Sequence, residues 1–105
     1  MALKSHVYFT YILTNKNNTV LYTGMTNDLA VRCRQHQEKR VVGFTKRYNV
    51  DRLVYYEVFR YVQESIRREK QIKGYSRAKK VALINNCNPT WEALYVNGRV
   101  KRIES

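Results

Sequence analysis

The chain has 105 residues, and its 20 lysines and arginines outnumber eight aspartates and glutamates to give a net charge of +12 at pH 7. This length and a 44% hydrophobic content predict one domain with its own core, and the two cysteines, Cys33 and Cys87, lack the paired spacing of a disulfide or zinc scaffold. No apolar run approaches the roughly 20 residues of a membrane-spanning helix, so the sequence predicts a cytoplasmic protein whose charge favours a polyanionic partner such as nucleic acid.

The first predicted element is a β-hairpin. Apolar and polar residues alternate over residues 7–13 and 20–24, which is the two-residue period of half-buried strands. The asparagine-rich segment between them predicts a turn centred on residues 16–17, because asparagine tolerates the left-handed backbone of tight turns. That centre places Tyr11 directly opposite Tyr22 in an antiparallel pair, so two phenol rings are expected side by side.

A helix is predicted directly after the hairpin. Gly24 ends the second strand without a side chain, which leaves a gap beside the tyrosines that a backbone or a ligand can approach. Thr26 or Asn27 is predicted to cap the helix. Arg32 and His36 then lie one turn apart on the helix, and we expect both side chains to overhang the sheet.

Basic and aromatic residues alternate within residues 38–51, which we interpret as a loop or a short helical turn. Phe44 and Tyr48 offer rings that stack on bases, and Lys46 and Arg47 offer cations that hold phosphates. A charged surface loop is usually only solvated, but the position of this one directly after the first helix favours contact with nucleic acid.

The second half of the chain is predicted to contain one strand, two helices and a small hairpin. The β-rich run from Leu53 to Phe59 predicts a third strand beside the hairpin. Helical periodicity predicts a helix from Val62 to Lys73 that ends at Gly74, and a second helix from Ser76 through Ile84. An Asn-Gly turn within residues 94–100 predicts a terminal hairpin.

One acid on the first of these helices is out of place. Val62, Ile66 and Ile72 are predicted to form its buried stripe, and Glu69 lies three residues from each isoleucine on the same face. A carboxylate on an inward face needs a cation, so Glu69 is expected either to pair with Arg32 or to bind a divalent metal. The sequence alone leaves both alternatives open.

Basic residues crowd the two predicted helices. Glu69 is the only acid between Arg67 and Lys80. A merely solvated surface usually carries acids among its bases, so this cluster favours a phosphate-bearing partner. Its members are Arg67, Arg68, Lys70, Lys73, Arg77, Lys79 and Lys80.

Several of these residues together resemble the GIY-YIG nuclease superfamily. The pattern is a strand that carries a tyrosine, a tyrosine-x-glycine on the next strand, and an arginine and a histidine on the following helix. Tyr11, residues 22–24, Arg32 and His36 match it, although Phe9-Thr10-Tyr11 stands where the family has glycine-isoleucine-tyrosine. Further similarity covers nearly the whole chain, through residues 44–48, 68–74 and 88–91.

The resemblance implies a fold and an activity. The fold is α/β (α+β), a small three-stranded antiparallel sheet flanked by helices, with a core over about residues 5–92 and a basic tail or hairpin over residues 93–105. The activity is that of a DNA endonuclease in repair or recombination that uses Mg²⁺ or Mn²⁺. Without a second domain to read sequence, structure- or end-selective cutting with weak sequence preference is expected.

The resemblance also implies roles for single residues. Tyr11 is the superfamily's general base, and neighbouring cations are expected to stabilise its phenolate. Tyr22 orients water or phosphate, Arg32 presents a rigid fork to phosphate oxygens, and His36 positions the same phosphate or relays a proton. Glu69 corresponds to the metal-binding glutamate, and acids scattered singly favour one metal ion over two.

Other residues are predicted to contact the nucleic acid or to lie near the metal. They are Gly24, Lys46, Arg47, Arg68, Lys70, Lys73 and Asn88, with Asn85 and Asn86 as rivals of Asn88. Two alternative functions remain open at this point: a nucleic-acid-binding module of the same fold with little or no cleavage, and a basic protein that acts on ribosomes or RNA. A zinc site is a weaker alternative, built from His6, Cys33, His36 and Cys87.

Overall fold

The structure, a computed structural model, describes residues 6–103. The strands are β1 (Tyr8–Thr14), β2 (Leu21–Thr26), β3 (Arg52–Phe59), β4 (Tyr95–Val96) and β5 (Arg99–Val100). The helices are α1 (Leu29–Gln37), α2 (Phe44–Arg47), α3 (Val62–Lys73) and α4 (Arg77–Cys87). None of these helices is long and apolar enough to span a membrane. The first three strands form an antiparallel sheet in the order β2-β1-β3, which confirms the predicted α+β class.

The sheet separates two clusters of buried side chains. Tyr11 and Leu13 of β1 point to one face, where they pack with α1 and the C-terminal hairpin of β4 and β5. Ile12 points to the opposite face, where it packs with Ile72 of α3 and Ile84 of α4. Because successive side chains of a strand alternate between faces, the single central strand β1 supplies both clusters.

The register of the first hairpin differs from the prediction. Tyr11 pairs with Gly24, and Tyr22 pairs with Leu13, so the two tyrosines are diagonal neighbours rather than direct partners. The turn is centred later than predicted because the Asn15 side chain accepts hydrogen bonds from the backbone N–H groups of residues 19 and 20, and Asn18 takes the left-handed backbone conformation, with φ of 58°. A shift of two residues keeps both tyrosines on the same face, since the side-chain period of a strand is two.

The first helix begins one residue later than the predicted caps allow. Asp28 is the cap, because its carboxylate accepts a hydrogen bond of 3.2 Å from the backbone N–H of Val31. Thr26 instead accepts a 3.1 Å hydrogen bond from the backbone of Asp28, so its hydroxyl is already occupied. The predicted buried edge of the helix holds, with Leu29 and Cys33 in the core.

The buried stripe of α3 also differs from the prediction, although its predicted bounds and its cap at Gly74 hold. Ser65 and Ile72 are buried, whereas Ile66 is 37% exposed. The small serine allows close approach to the sheet, where the Thr10 hydroxyl donates a 2.9 Å hydrogen bond to the Ser65 carbonyl. Glu69 consequently lies at the edge of the buried stripe, partly covered.

The C-terminal elements follow the predicted pattern. The Ser76 hydroxyl caps α4 as predicted, and that helix continues past Ile84 to Cys87. The last hairpin turns at Asn97 and Gly98, both with positive φ as the Asn-Gly turn requires.

Candidate active site

The centre of the candidate site is the contact between Tyr11 and Gly24. A β-carbon added to Gly24 would lie 2.6 Å from the Tyr11 hydroxyl oxygen and 2.7 Å from Cζ of the same ring. The gap predicted beside Gly24 is therefore filled by the ring of Tyr11, which is 2% exposed. This placement argues against the predicted contact between Gly24 and nucleic acid, and gives the glycine the role of seating the phenol.

Replacement of Gly24 by alanine is expected to destabilise the fold and displace Tyr11. Overpacking of this kind costs about 1–3 kcal/mol in the free energy of unfolding, which urea denaturation measures. Gly74→Ala is the matched control, because a β-carbon there would lie 3.5 Å from its nearest neighbour, an ordinary contact, and its φ is −82°. A Gly24→Ala variant as stable as Gly74→Ala would contradict the seating role.

His36 joins Tyr11 to the α2 segment. Its Nε2 lies 3.4 Å from the Tyr11 hydroxyl, and its Nδ1 lies 3.0 Å from the hydroxyl of Thr45. The imidazole is 3% exposed and the Thr45 side chain 4% exposed, so both hydrogen bonds are shielded from water. The helix spacing of Arg32 and His36 was predicted, but the burial of His36 between two hydroxyl groups was not.

The environment of His36 predicts a pH-dependent stability. Burial, with help from the Arg32 charge, lowers the pKa of His36 to about 4. The unfolded chain binds a proton near pH 6.5, before the folded chain does, so stability is complete above that pH and falls as the pH drops toward 4. Denaturation at pH 7 and pH 5 should differ by about 1–2 kcal/mol more in the parent than in His36→Gln. Replacement of exposed His6 by glutamine is the control, and an equal effect of both replacements would refute the assignment.

The rings of Tyr11, Tyr22 and His36 all lie close to one another. The ring centroids of Tyr11 and Tyr22 are 6.4 Å apart, and those of Tyr22 and His36 are 5.9 Å apart. Phe44 of α2 stacks on Tyr22 at 6.3 Å with an interplanar angle of 25°. The hairpin, α1 and α2 thus bring Tyr11, Tyr22 and His36 into one cluster.

Two charges of opposite sign act on Tyr11. Burial raises the pKa of Tyr11 well above its ordinary value of 10; Tyr22 and Glu69 raise it further, and Arg32 lowers it. Arg32 acts in the direction expected of a neighbouring cation, but burial outweighs it, so the pKa of the phenol stays above its ordinary value. Arg32 and Glu69 therefore act on the pKa of this phenol in opposite directions, and the effect of Glu69 is the smaller of the two.

Glu69 is partly buried, with 19% of its side chain exposed. Its ion-pair partner is Lys73 at 3.6 Å, one turn along the same helix, and not Arg32 as the structural alternative predicted. Lys73 is half exposed, and such i,i+4 pairs contribute only about 0.3–0.5 kcal/mol, so a divalent ion can displace it. Because Lys73 pairs with Glu69, the structure argues against the predicted contact between Lys73 and nucleic acid.

The donor set around Glu69 fits one hard cation. Among the described residues, no group of three or more histidine, cysteine, aspartate or glutamate side chains is close enough to form a protein cage for a metal. Magnesium commonly uses one or two carboxylates and completes its coordination with water and substrate phosphate. The single, partly buried carboxylate of Glu69 matches that coordination preference. The zinc alternative fails, because Cys33 and Cys87 pack on opposite faces of the sheet.

Arg32 lies on α1 between the buried positions of that helix. Within residues 6–103 it forms no ion pair with a carboxylate, although five other arginines or lysines of this region lie within 3.6 Å of an acid. An arginine fork without an acid partner beside a buried phenol is free to bind a phosphate.

Two predicted nucleic-acid contacts have structural partners instead. The Arg68 guanidinium donates two hydrogen bonds of 3.0 and 3.1 Å from Nε to Glu57 and a third of 3.0 Å from Nη2. Asn88 is 3% exposed and binds the backbone at Val54 and Glu92, with the Glu92 N–H donating back to it. Its rival Asn85 accepts a hydrogen bond from the Trp91 ring. These partners argue against the predicted roles of Arg68 and Asn88.

Thr45 is the site residue that sequence reasoning missed. It lies within residues 38–51, where the cations and the aromatic rings are the conspicuous features. A single threonine next to cations gives no sign in the sequence that it is buried. Only the folding of α2 against α1 places its hydroxyl beside His36.

The chain is similar to proteins of a known family. The profile of the family described as GIY-YIG catalytic domain matches residues 7–82. The chain is 36% identical over 77 residues to a UPF0213 protein of Staphylococcus haemolyticus and 35% identical over 77 residues to one of Staphylococcus aureus; each match covers 73% of this chain and 93% of the relative. The solution NMR structure of a UPF0213 protein from Bacillus halodurans is similar, with a TM-score of 0.53 and 30% identity over 82% of this chain and 90% of that one.

Proposed function

This chain belongs to the GIY-YIG family of nuclease domains, and on that premise we propose that it is a metal-dependent endonuclease that hydrolyses phosphodiester bonds in DNA. Membership supports a nuclease-type function on nucleic acid. The observation that carries the finer proposal is the buried Tyr11 hydroxyl, which lies 3.4 Å from Nε2 of His36 and whose pKa is lowered by Arg32 and raised by Glu69.

Tyr11 is proposed to act as the general base. It accepts a proton from the attacking water as a phenolate, after its own hydroxyl proton has been released to bulk water. The lowered pKa keeps His36 neutral at pH 7, so its Nε2, 3.4 Å away, accepts a hydrogen bond from the Tyr11 hydroxyl and positions it. Tyr22, next to both rings, is placed to orient the water or the phosphate.

Glu69 is proposed to hold one Mg²⁺ or Mn²⁺ ion. When bound, the ion supplies positive charge for the phosphate oxygens and for the oxygen that leaves. The carboxylate of Glu69 raises the pKa of Tyr11, so neutralisation of its charge makes the phenol easier to deprotonate.

Arg32 is proposed to bind the scissile phosphate. Its planar fork matches two phosphate oxygens, and the charge that builds on them during attack strengthens both hydrogen bonds. Arg32 also lowers the pKa of Tyr11. The same side chain is therefore proposed to stabilise both the phosphate that is attacked and the phenolate form of the base.

The surrounding charge is proposed to bind the DNA backbone. Lys46 and Arg47 are exposed on α2 beside the site, and Lys70 is exposed on the same helix as Glu69. These contacts read phosphates and not bases, which favours structure- or end-selective cutting with weak sequence preference. DNA repair or recombination is the proposed setting.

The proposal is tested with purified protein on labelled branched, nicked and linear DNA. Cutting is expected with Mg²⁺ or Mn²⁺. Added chelator is expected to abolish it, because residues 6–103 form no cage of three or more ligands that would retain the ion. Product lengths on a denaturing gel measure the cutting. Binding of the same substrates without metal-dependent cutting would contradict the nuclease proposal.

A nucleic-acid-binding module with little or no cleavage is the second candidate. The ion pair between Glu69 and Lys73 favours it, because a carboxylate with a cationic partner needs no metal. The same assay separates the two candidates.

A further inference from the structure

Aromatic rings continue outward from the candidate site to the surface. Tyr22 stacks on Phe44, and Phe44 lies 4.9 Å from Tyr48 between ring centroids. Phe44 is 47% exposed and Tyr48 is 45% exposed. We call Tyr22, Phe44 and Tyr48 the ring row; it begins beside His36 and ends in solvent.

Charge distinguishes this row from an ordinary patch of exposed aromatics. Along the same segment, Lys39 pairs with Asp51 at 2.7 Å and Arg40 pairs with Glu38. By contrast, Lys46 and Arg47 form no ion pair within residues 6–103, and the Arg47 guanidinium lies 5.5 Å from the centroid of the Tyr48 ring. The uncompensated cations are therefore those beside the exposed rings.

We propose that the ring row stacks an unpaired nucleobase, so that the enzyme prefers DNA with unpaired nucleotides next to the scissile phosphate. This inference rests on the proposed function, and it specifies which form of DNA the enzyme prefers as its substrate. Aromatic faces bind bases of any sequence by stacking, and neighbouring cations hold the backbone between them. In a duplex the faces of the bases are covered by their neighbours, so exposed rings have no base face to stack on.

The row is also continuous with the catalytic residues. The ring centroids of Tyr22 and His36 are 5.9 Å apart, and His36 is hydrogen-bonded to Tyr11. A base on Phe44 or Tyr48 is therefore within one or two rings of Tyr22, which is proposed to orient the water or the phosphate. Paired DNA can still contact the cations, but it gains nothing from the rings.

The test measures binding in chelator, so that it does not depend on cutting. A fluorescein-labelled single strand and a duplex of the same sequence are titrated with the parent, Phe44→Ala and Tyr48→Ala. Each replacement is expected to weaken binding of the single strand by about tenfold and binding of the duplex by less than about twofold. Tyr61→Ala is the control, since Tyr61 is 61% exposed at the start of α3 and its loss should change neither affinity.

A second measurement reports stacking directly. A single strand with one 2-aminopurine should lose fluorescence on saturation with the parent and lose less with Tyr48→Ala, a variant that removes one of the two exposed rings and leaves the Phe44 contact to Tyr22 intact. Phe44→Tyr, which keeps a ring, should bind like the parent. Equal weakening of single strand and duplex, or unchanged quenching in Tyr48→Ala, would overturn the inference, whether or not the protein cuts DNA with metal.

Discussion

The Glu69→Gln variant should lose metal-dependent cutting by about 10³-fold or more, because the amide removes the negative charge that holds the ion and the ion supplies several kcal/mol to the transition state. Folding should persist, since the replacement has nearly the same size and removes only one weak pair with Lys73. Initial cutting rates at saturating Mg²⁺ measure the effect.

Glu64→Gln is the matched control for this variant. Glu64 is exposed in the first turn of the same helix, so its loss changes the net charge equally without reaching Tyr11. Both variants should bind DNA like the parent in chelator. Equal cutting by Glu69→Gln and Glu64→Gln would show that the metal site lies elsewhere, even if the protein is a nuclease.

The Tyr11→Phe variant should lower the cutting rate by 10²- to 10⁴-fold, which is the usual contribution of a positioned general base. The phenylalanine ring still covers Gly24 and fills the same space in the core, so only the hydroxyl and its hydrogen bond to His36 are lost. That loss costs about 1 kcal/mol in the free energy of unfolding. Single-turnover rates with bound DNA separate the chemical effect from binding.

Tyr8→Phe controls for loss of a phenol from the same strand. Tyr8 lies three positions before Tyr11 along β1, so it points to the other face of the sheet. Its replacement should leave the rate unchanged. A Tyr11→Phe variant that cuts like Tyr8→Phe would remove Tyr11 from the reaction and leave His36 as the remaining base beside the site.

Local sequence patterns were sufficient to predict the strands and helices named next. Alternating polarity predicted the first hairpin and β3, the helix α3 was predicted from Val62 to Lys73, and Asn-Gly predicted the last hairpin. These signals depend on neighbours in the sequence, which set the backbone preferences of turns, caps and strands. These signals did not predict the register of the first hairpin. The position of its turn depends on the Asn15 side chain, which accepts hydrogen bonds from the backbone N–H groups of residues 19 and 20.

What the sequence determined by itself was the family, the elements and the residue types that carry the proposed chemistry, because those depend on local order and spacing. Only the tertiary structure decided which side chains meet. In the folded chain, Tyr11 packs on Gly24, and Thr45 forms a hydrogen bond with His36. Arg68 pairs with Glu57, and Lys73 pairs with Glu69. The reason is that burial and partner choice depend on packing between distant segments, and a run of basic residues looks the same in sequence whether each member binds an acid or a phosphate.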